Sequence, residues 1–149
     1  MYPNPEVARY ITEHFEPVRV HVLEHRDEYK RLGERYNVQW TPTILILDSA
    51  GEERHRIEGF LPVDDFLSQI TLGLARSAFQ RQDYAEAERL YRGIVNRFPS
   101  TDAAAEALYW AGVSKYKATD DASALRDTAA SFNDRYQDTT WAKKASVWG

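Results

Sequence analysis

The sequence contains no cysteine among its 149 residues. Disulfide bonds, thiolate metal sites and thiol catalysis all require cysteine sulfur, so none of them is available to these residues. No apolar run approaches the roughly 18 residues of a membrane-spanning helix. The formal net charge of −4 comes without a basic stripe that would neutralise phosphates. We therefore expect neither a nucleic acid nor a membrane as a partner.

Motifs of catalysis and cofactor binding are also missing. The sequence has no glycine-rich phosphate loop, no Gly-x-Ser-x-Gly elbow and no triad pattern. His21 and His25 are four residues apart, but a strand and the loop after it would not place them on one face, as a metal site requires. His14 and His55 are isolated, and we expect both to be exposed. The chain as it stands is predicted to be no enzyme, with no catalytic residue, metal or cofactor.

The N-terminus lacks the basic and apolar stretches of a secretory signal, which predicts a cytoplasmic protein. The 43% hydrophobic content, with four Trp and nine Tyr, is enough for a sizeable folded core. The length is close to the ~150 residues of an average domain.

Residues 1–70 have the pattern of an α/β unit. Some stretches have apolar residues at helical spacing, and others have an apolar residue at every second position, as a strand does. One short run is apolar throughout, which is typical of a strand buried on both faces. The predicted elements are a helix after Asn4-Pro5, a strand over Val18–Leu23, a helix from about Asp27, a buried strand over Thr43–Leu47, a strand over Glu53–Glu58 and a helix after Pro62.

The order helix, strand, helix, hairpin, helix, with Thr41-Pro42-Thr43 before the apolar strand and Gly59-Phe60 after the hairpin, resembles a thioredoxin from its second helix onward. The resemblance implies a cis peptide bond before Pro42. It also implies that the loop at Thr41 and Pro42 offers backbone hydrogen bonds to a bound peptide. Thr41 and Pro42 are therefore candidate peptide-binding residues.

The chain departs from that family where the chemistry would be. The family's first strand, first helix and second strand, which delivers the Cys-x-x-Cys pair, have no counterpart among these residues. The absent strand would lie between the strands predicted at Val18–Leu23 and Thr43–Leu47, and unpaired strand edges invite pairing. Either the sheet closes up, or a partner fills the gap, or the protein extends upstream of Met1.

The pattern of residues 71–149 predicts an all-α segment with an internal repeat of 38 residues. Paired helical patterns cover about 64–81 with 84–97 and about 103–117 with 121–136, and residues 139–148 read as a further helix or cap. Small residues at Ala75, Ala87, Gly112 and Ala124, with Pro99 at the first exit, are similar to tetratricopeptide repeats. The repeated positions are Arg97 and Arg135, Phe98 and Tyr136, Thr101 and Thr139, Ala104 and Ala142, Ala107 and Ala145, and Trp110 and Trp148.

Aromatic residues of this segment offer a second candidate site. Trp110 and Trp148 recur with the repeat, which favours helix packing. Trp141 falls outside the repeat and is the better candidate for a peptide-binding surface, because Trp is enriched at interfaces.

These observations predict a truncated thioredoxin-like domain over residues 1–70, followed by a tetratricopeptide-like array over residues 71–149. The predicted function is a non-catalytic protein-interaction module that binds a protein or peptide. Two alternatives stay open. The chain belongs to a thiol–disulfide oxidoreductase whose Cys-x-x-Cys lies upstream of Met1, or it is a structural homodimer paired through its sheet edges.

Overall fold

The structure, a computed structural model, describes residues 3–149. Within that range no helix is both long enough and apolar enough to cross a membrane. The elements are α1 (Pro5–His14), α2 (Arg26–Arg35), β1 (Thr43–Leu47), β2 (Glu53–Glu58), α3 (Val63–Gln80), α4 (Tyr84–Arg97), α5 (Ala103–Thr119), α6 (Ser123–Asp134), α7 (Thr140–Ala145) and a 3₁₀ helix (Ser146–Trp148).

The first helix begins as its sequence predicts. The Asn4 side-chain oxygen accepts hydrogen bonds from the backbone N–H groups of Glu6 and Val7, at 2.8 and 3.3 Å. These bonds satisfy donors that have no partner within the helix. Val7 is buried, and the Tyr10 hydroxyl lies 2.7 Å from the hydroxyl of Thr71 in α3. The helix α1 is thereby fixed against α3.

The strand predicted over Val18–Leu23 is wrong. Residues 15–21 have no regular structure and residues 22–24 form a turn. A strand is stabilised by hydrogen bonds to a neighbouring strand, and no neighbour is present for this segment among residues 3–149. Its apolar side chains are consequently exposed, Val18 at 84% and Leu23 at 66%.

The two strands form an antiparallel hairpin. Thr43 pairs with Glu58 and Ile46 with His55, and the register shifts by one residue after Ile46. In the connecting turn, Gly51 has a φ of 81°, a left-handed conformation that favours glycine. The prediction that Thr43–Leu47 is buried on both faces is wrong, because Ile46 alone is buried and Leu47 is 40% exposed. One face of β1 lies on α3 and the other is incompletely covered.

The helix α3 joins two hydrophobic cores. Its first half contributes Phe66, Leu67 and Ile70 to a core with Val7, Ile46, Ile57 and Phe98. Its second half contributes Leu72, Ala75 and Ala78 to the core of the following helices. The boundary predicted between residues 70 and 71 therefore falls inside a continuous helix, at the point where its buried side chains pass from one core to the other.

The helical segment follows its sequence pattern closely. The predicted helix over 84–97 has the observed limits, and the other predicted helix ends lie within about three residues of the observed ones. Gly112 of α5 packs directly on α6, because an added Cβ would lie 2.7 Å from the Cβ of Thr128.

The 38-residue repeat is visible in the hydrogen bonds between helices. The Thr101 hydroxyl donates to the Phe98 carbonyl at 2.8 Å, and the Thr139 hydroxyl donates to the Tyr136 carbonyl at 2.6 Å. The Tyr136 hydroxyl donates to the Pro99 carbonyl at 2.6 Å and links the two turns. The repeat is therefore structural, whereas its assignment as a tetratricopeptide repeat stays a prediction.

Candidate peptide-binding site

The loop before β1 has the cis peptide bond that the resemblance to thioredoxins implies. The Thr41–Pro42 peptide bond is cis. The Pro42 carbonyl accepts from the Gly59 N–H at 2.8 Å, and the Thr43 hydroxyl donates to the Trp40 carbonyl at 2.6 Å. Thr41 is exposed, and its backbone N–H and C=O make no hydrogen bond to any residue of 3–149. The loop therefore presents free backbone groups at a fixed position.

The outer edge of β1 continues this row of free groups. The Gly59–Pro42 bond and the register of Thr43 opposite Glu58 make residues 42, 44 and 46 the ones bonded to β2. Alternation in an antiparallel ladder then points the N–H and C=O of Thr43, Leu45 and Leu47 away from β2. Within the described part of the chain, the sheet has only these two strands. One full edge of β1 is open.

Exposed apolar side chains lie near the two ends of β1. Trp40 is 66% exposed at its beginning, Leu47 is 40% exposed at its end, and Phe60 beyond the hairpin is 70% exposed. Large exposed apolar groups in one region mark interaction surfaces more often than scattered single ones do. We call the open edge of β1 with Thr41, Trp40 and Phe60 the strand slot.

The helix α2 packs against neither strand of the hairpin. None of its side chains is buried, so the face with Tyr29, Leu32 and Tyr36 is only partly covered. Its C-terminal end is tied to the hairpin, because the Tyr36 hydroxyl donates to the Gly51 carbonyl at 2.7 Å and Arg56 donates to the Tyr36 carbonyl. A shallow groove of about 470 Å³ runs along α2 between Tyr29 and Gln39.

The hairpin turn is held by charge-assisted bonds. The Asp48 carboxylate accepts from the Glu52 N–H at 3.0 Å and from the Arg54 guanidinium at 2.8 Å. The pKa of the Asp48 carboxyl is lowered, mostly by the hydrogen bond from the Glu52 N–H and next by the bond from the Arg54 guanidinium. The turn therefore fixes the end of β1 at neutral pH.

Trp141 belongs to a different part of the molecule. The helix α7 contacts α5, α6 and the 3₁₀ helix, and it makes no contact with the hairpin. The Trp141 ring is partly buried, 5.4 Å from the Tyr109 ring, and the Lys144 ammonium lies 4.2 Å from its centroid. A groove of about 500 Å³ between the two repeat turns includes Trp141 in its lining. The predicted site residues therefore form two separate places, Thr41 with Pro42 and Trp141 alone.

His55 is the residue that the sequence interpretation misplaced. It was expected to be exposed, but its ring lies between β2 and α3, with Nε2 2.6 Å from the Gln69 amide oxygen. Its Nδ1 lies 2.6 Å from the Arg76 guanidinium. Two-residue periodicity contains the signal, because His55 shares a strand face with buried Ile57.

The other histidines form local contacts. The His25 ring accepts from the His21 N–H at 2.9 Å, so the two residues close the loop before α2. In the described range, 3–149, no three His, Asp or Glu side chains are grouped so that they could hold a metal ion.

Comparison with known proteins concerns the first half of the chain. A family model for the thioredoxin-like domain matches residues 1–72. No curated protein and no solved structure matches the chain. The match covers α1, α2, the hairpin and the first half of α3, and it includes Thr41 and Pro42. Residues 1–72 are therefore similar to a thioredoxin-like domain.

Proposed function

We propose that the chain is a non-catalytic protein-interaction module that takes an extended segment of another protein into the strand slot. The observation that supports this proposal most directly is the open outer edge of β1 next to Thr41. Free N–H and C=O groups on a strand edge pair readily with an added strand.

The slot favours a particular kind of segment. Strand addition derives its affinity from main-chain hydrogen bonds and its specificity from alternate side chains. Trp40, Leu47 and Phe60 offer apolar surface around the edge. The preferred segment is therefore extended and free of proline, with apolar residues at alternate positions.

A proline substitution tests strand addition directly. The Leu45 N–H points away from β2, so Leu45→Pro removes a donor from the slot and leaves the bonds to β2 in place. The matched control Leu45→Val keeps the N–H. The probe is a panel of synthetic peptides that alternate β-branched and polar residues, with binding measured by calorimetry and by amide shifts.

We expect at least one peptide to shift the amides of Thr43, Leu45 and Leu47, with binding lost in Leu45→Pro and kept in Leu45→Val. Binding by all three forms of the chain, or shifts confined to the groove at Trp141, would contradict the proposal. Trp141→Ala provides the corresponding test of that second candidate surface. Two copies paired edge to edge would appear as a concentration-dependent dimer in light scattering, and a monomer at every concentration would remove that alternative.

A second candidate function is supported by the same slot. In a thiol–disulfide oxidoreductase of the thioredoxin family, the strand in this position carries the Cys-x-x-Cys pair, and a cis-proline lies beside it. The cis Thr41–Pro42 bond and the family match over residues 1–72 suit this alternative equally well. Here the added strand comes from a longer form of the same chain.

The upstream reading frame separates the two candidates. The oxidoreductase candidate requires a codon run for a strand followed by Cys-x-x-Cys, in frame before Met1. The longer protein should then reduce a disulfide substrate, while residues 1–149 should not. An in-frame stop codon directly before Met1 would exclude this candidate and leave a partner as the source of the strand.

A further inference from the structure

A partly buried polar cluster joins the hairpin to the helical array. His55 of β2 contacts Gln69 and Arg76 of α3, and Arg76 continues to Glu106 of α5 at 2.5 Å. These hydrogen bonds connect β2, α3 and α5, and the guanidinium of Arg76 is the link between them. Its residues lie on both sides of the position in α3 where the two hydrophobic cores meet.

The contacts define the protonation state of His55. Arginine is a donor only, so the Nδ1 atom 2.6 Å from Arg76 is the acceptor. The proton of the neutral ring is then on Nε2, which donates to the Gln69 amide oxygen at 2.6 Å. A second proton on Nδ1 would remove the bond from Arg76 and place two cations against each other.

The surroundings of the ring shift the pKa of His55 in both directions. Burial lowers the pKa of His55, and the Arg76 charge lowers it further, while the Gln69 bond, Glu106 and Glu53 act in the opposite direction. The hydroxyl of Tyr91 in α4 interacts with the same Arg76–Glu106 pair, and burial raises its pKa, so it stays protonated.

We propose that His55 is an acid-sensitive latch that holds the hairpin, and with it the strand slot, against the helical array. Neutral His55 accepts the Arg76 bond and closes the latch. Protonation opens it, because the Arg76 guanidinium then turns to Glu106 alone. The latch acts whichever strand occupies the slot.

The direction of the pH dependence follows from the two states of His55. With the hairpin released, the ring has its ordinary pKa of 6.5, whereas in the closed state the pKa is lower. Above that ordinary pKa both states are neutral and the opening equilibrium is independent of pH. Below it, the open state takes up a proton that the closed state does not. The equilibrium therefore moves toward opening by up to about tenfold per pH unit, until the lowered pKa is reached.

Nuclear magnetic resonance of the full chain tests the latch. Ring titration reports the pKa of each histidine, and amide exchange reports opening of β1 and β2 relative to α4. His55→Gln can accept from Arg76 and donate to Gln69 without titrating, and His14→Gln is the control at an exposed histidine. Arg76→Met removes the donor to Nδ1.

We expect the pKa of His55 to lie below the ordinary histidine value of 6.5, and the neutral ring to be protonated only on Nε2. Opening of the hairpin should increase by up to about tenfold per pH unit below the ordinary histidine pKa in the wild type and in His14→Gln, but not in His55→Gln. Arg76→Met should raise the pKa of His55. The latch is wrong if the pKa of His55 is at or above the ordinary histidine value of 6.5, or if hairpin opening keeps its pH dependence in His55→Gln.

Discussion

Replacing Gly73 by alanine should disturb the packing of the hairpin on α3, and the effect should be measurable in the free energy of unfolding. Gly73 lies in the middle of α3, where β1 crosses the helix. An added Cβ would lie 2.9 Å from the Cγ2 of Ile46 and 3.0 Å from its Cβ, with the Cδ1 atom closer still. The Cβ of Ile46 is fixed to the β1 backbone, so side-chain rotation alone does not relieve the contact, and the hairpin has to move.

The magnitude follows from a comparison with Gly93. Gly93 also lies inside a helix, α4, but an added Cβ there would meet nothing within 4 Å. Alanine should gain about 0.5–1 kcal/mol over glycine at both positions through helix propensity. At Gly73 the overpacking of a close contact costs a further ~1–3 kcal/mol. The two variants should therefore differ by about 1–3 kcal/mol, with Gly93→Ala more stable than the wild type.

Urea unfolding monitored by circular dichroism gives both free energies of unfolding. A third variant identifies the contact, because Ile46→Val removes the Cδ1 atom. Alone, this change should cost about 0.5–1.5 kcal/mol. In the Gly73→Ala background it should cost less by at least about 0.5 kcal/mol, since it relieves the overpacking. Equal stabilisation by Gly73→Ala and Gly93→Ala would refute the close packing of β1 on α3.

Three further variants test the remaining contacts by the same unfolding measurement. Gly112→Ala should destabilise the chain relative to Gly93→Ala by about 1–3 kcal/mol, because its Cβ would meet Thr128, and an equal gain would contradict the packing of α5 on α6. Asn4→Ala should lower the free energy of unfolding by ~1 kcal/mol, since it removes the cap of α1. Tyr10→Phe should cost about 0.5–1.5 kcal/mol through the lost bond to the α3 hydroxyl, and no change would exclude that bond.

Local sequence signals were sufficient for most helices. The Asn4-Pro5 start, the 38-residue repeat and the small residue at Gly112 all correspond to observed caps, turns and close approaches. Each of these features depends on residues within one helix or between adjacent helices. Their geometry is therefore encoded in short stretches of sequence.

The strand prediction over Val18–Leu23 failed for a non-local reason. Alternation of apolar and polar residues describes a strand that has a neighbour, and the neighbour is absent from the described residues. The strand β1 is not buried on both faces because α3 is the one helix of the described residues that contacts it. Two-residue alternation by itself does not indicate whether a neighbouring strand is present.

The candidate site was predicted in part. The cis Thr41–Pro42 bond is observed, as the family resemblance implied. The separation of Trp141 from Thr41 could not be predicted, because it depends on how α7 packs against α5. The contact of His55 with Arg76 spans 21 residues, which no short-range periodicity connects.

Amide hydrogen exchange along β1 tests the strand slot most directly. In the free monomer, the amides of Ile44 and Ile46 should be protected by β2, while those of Thr43, Leu45 and Leu47 should exchange rapidly. Addition of a bound extended peptide, or of the upstream strand in a longer chain, should protect the second set as well. Strong protection of the Leu45 amide in the free monomer would contradict an open edge, and with it the proposed function.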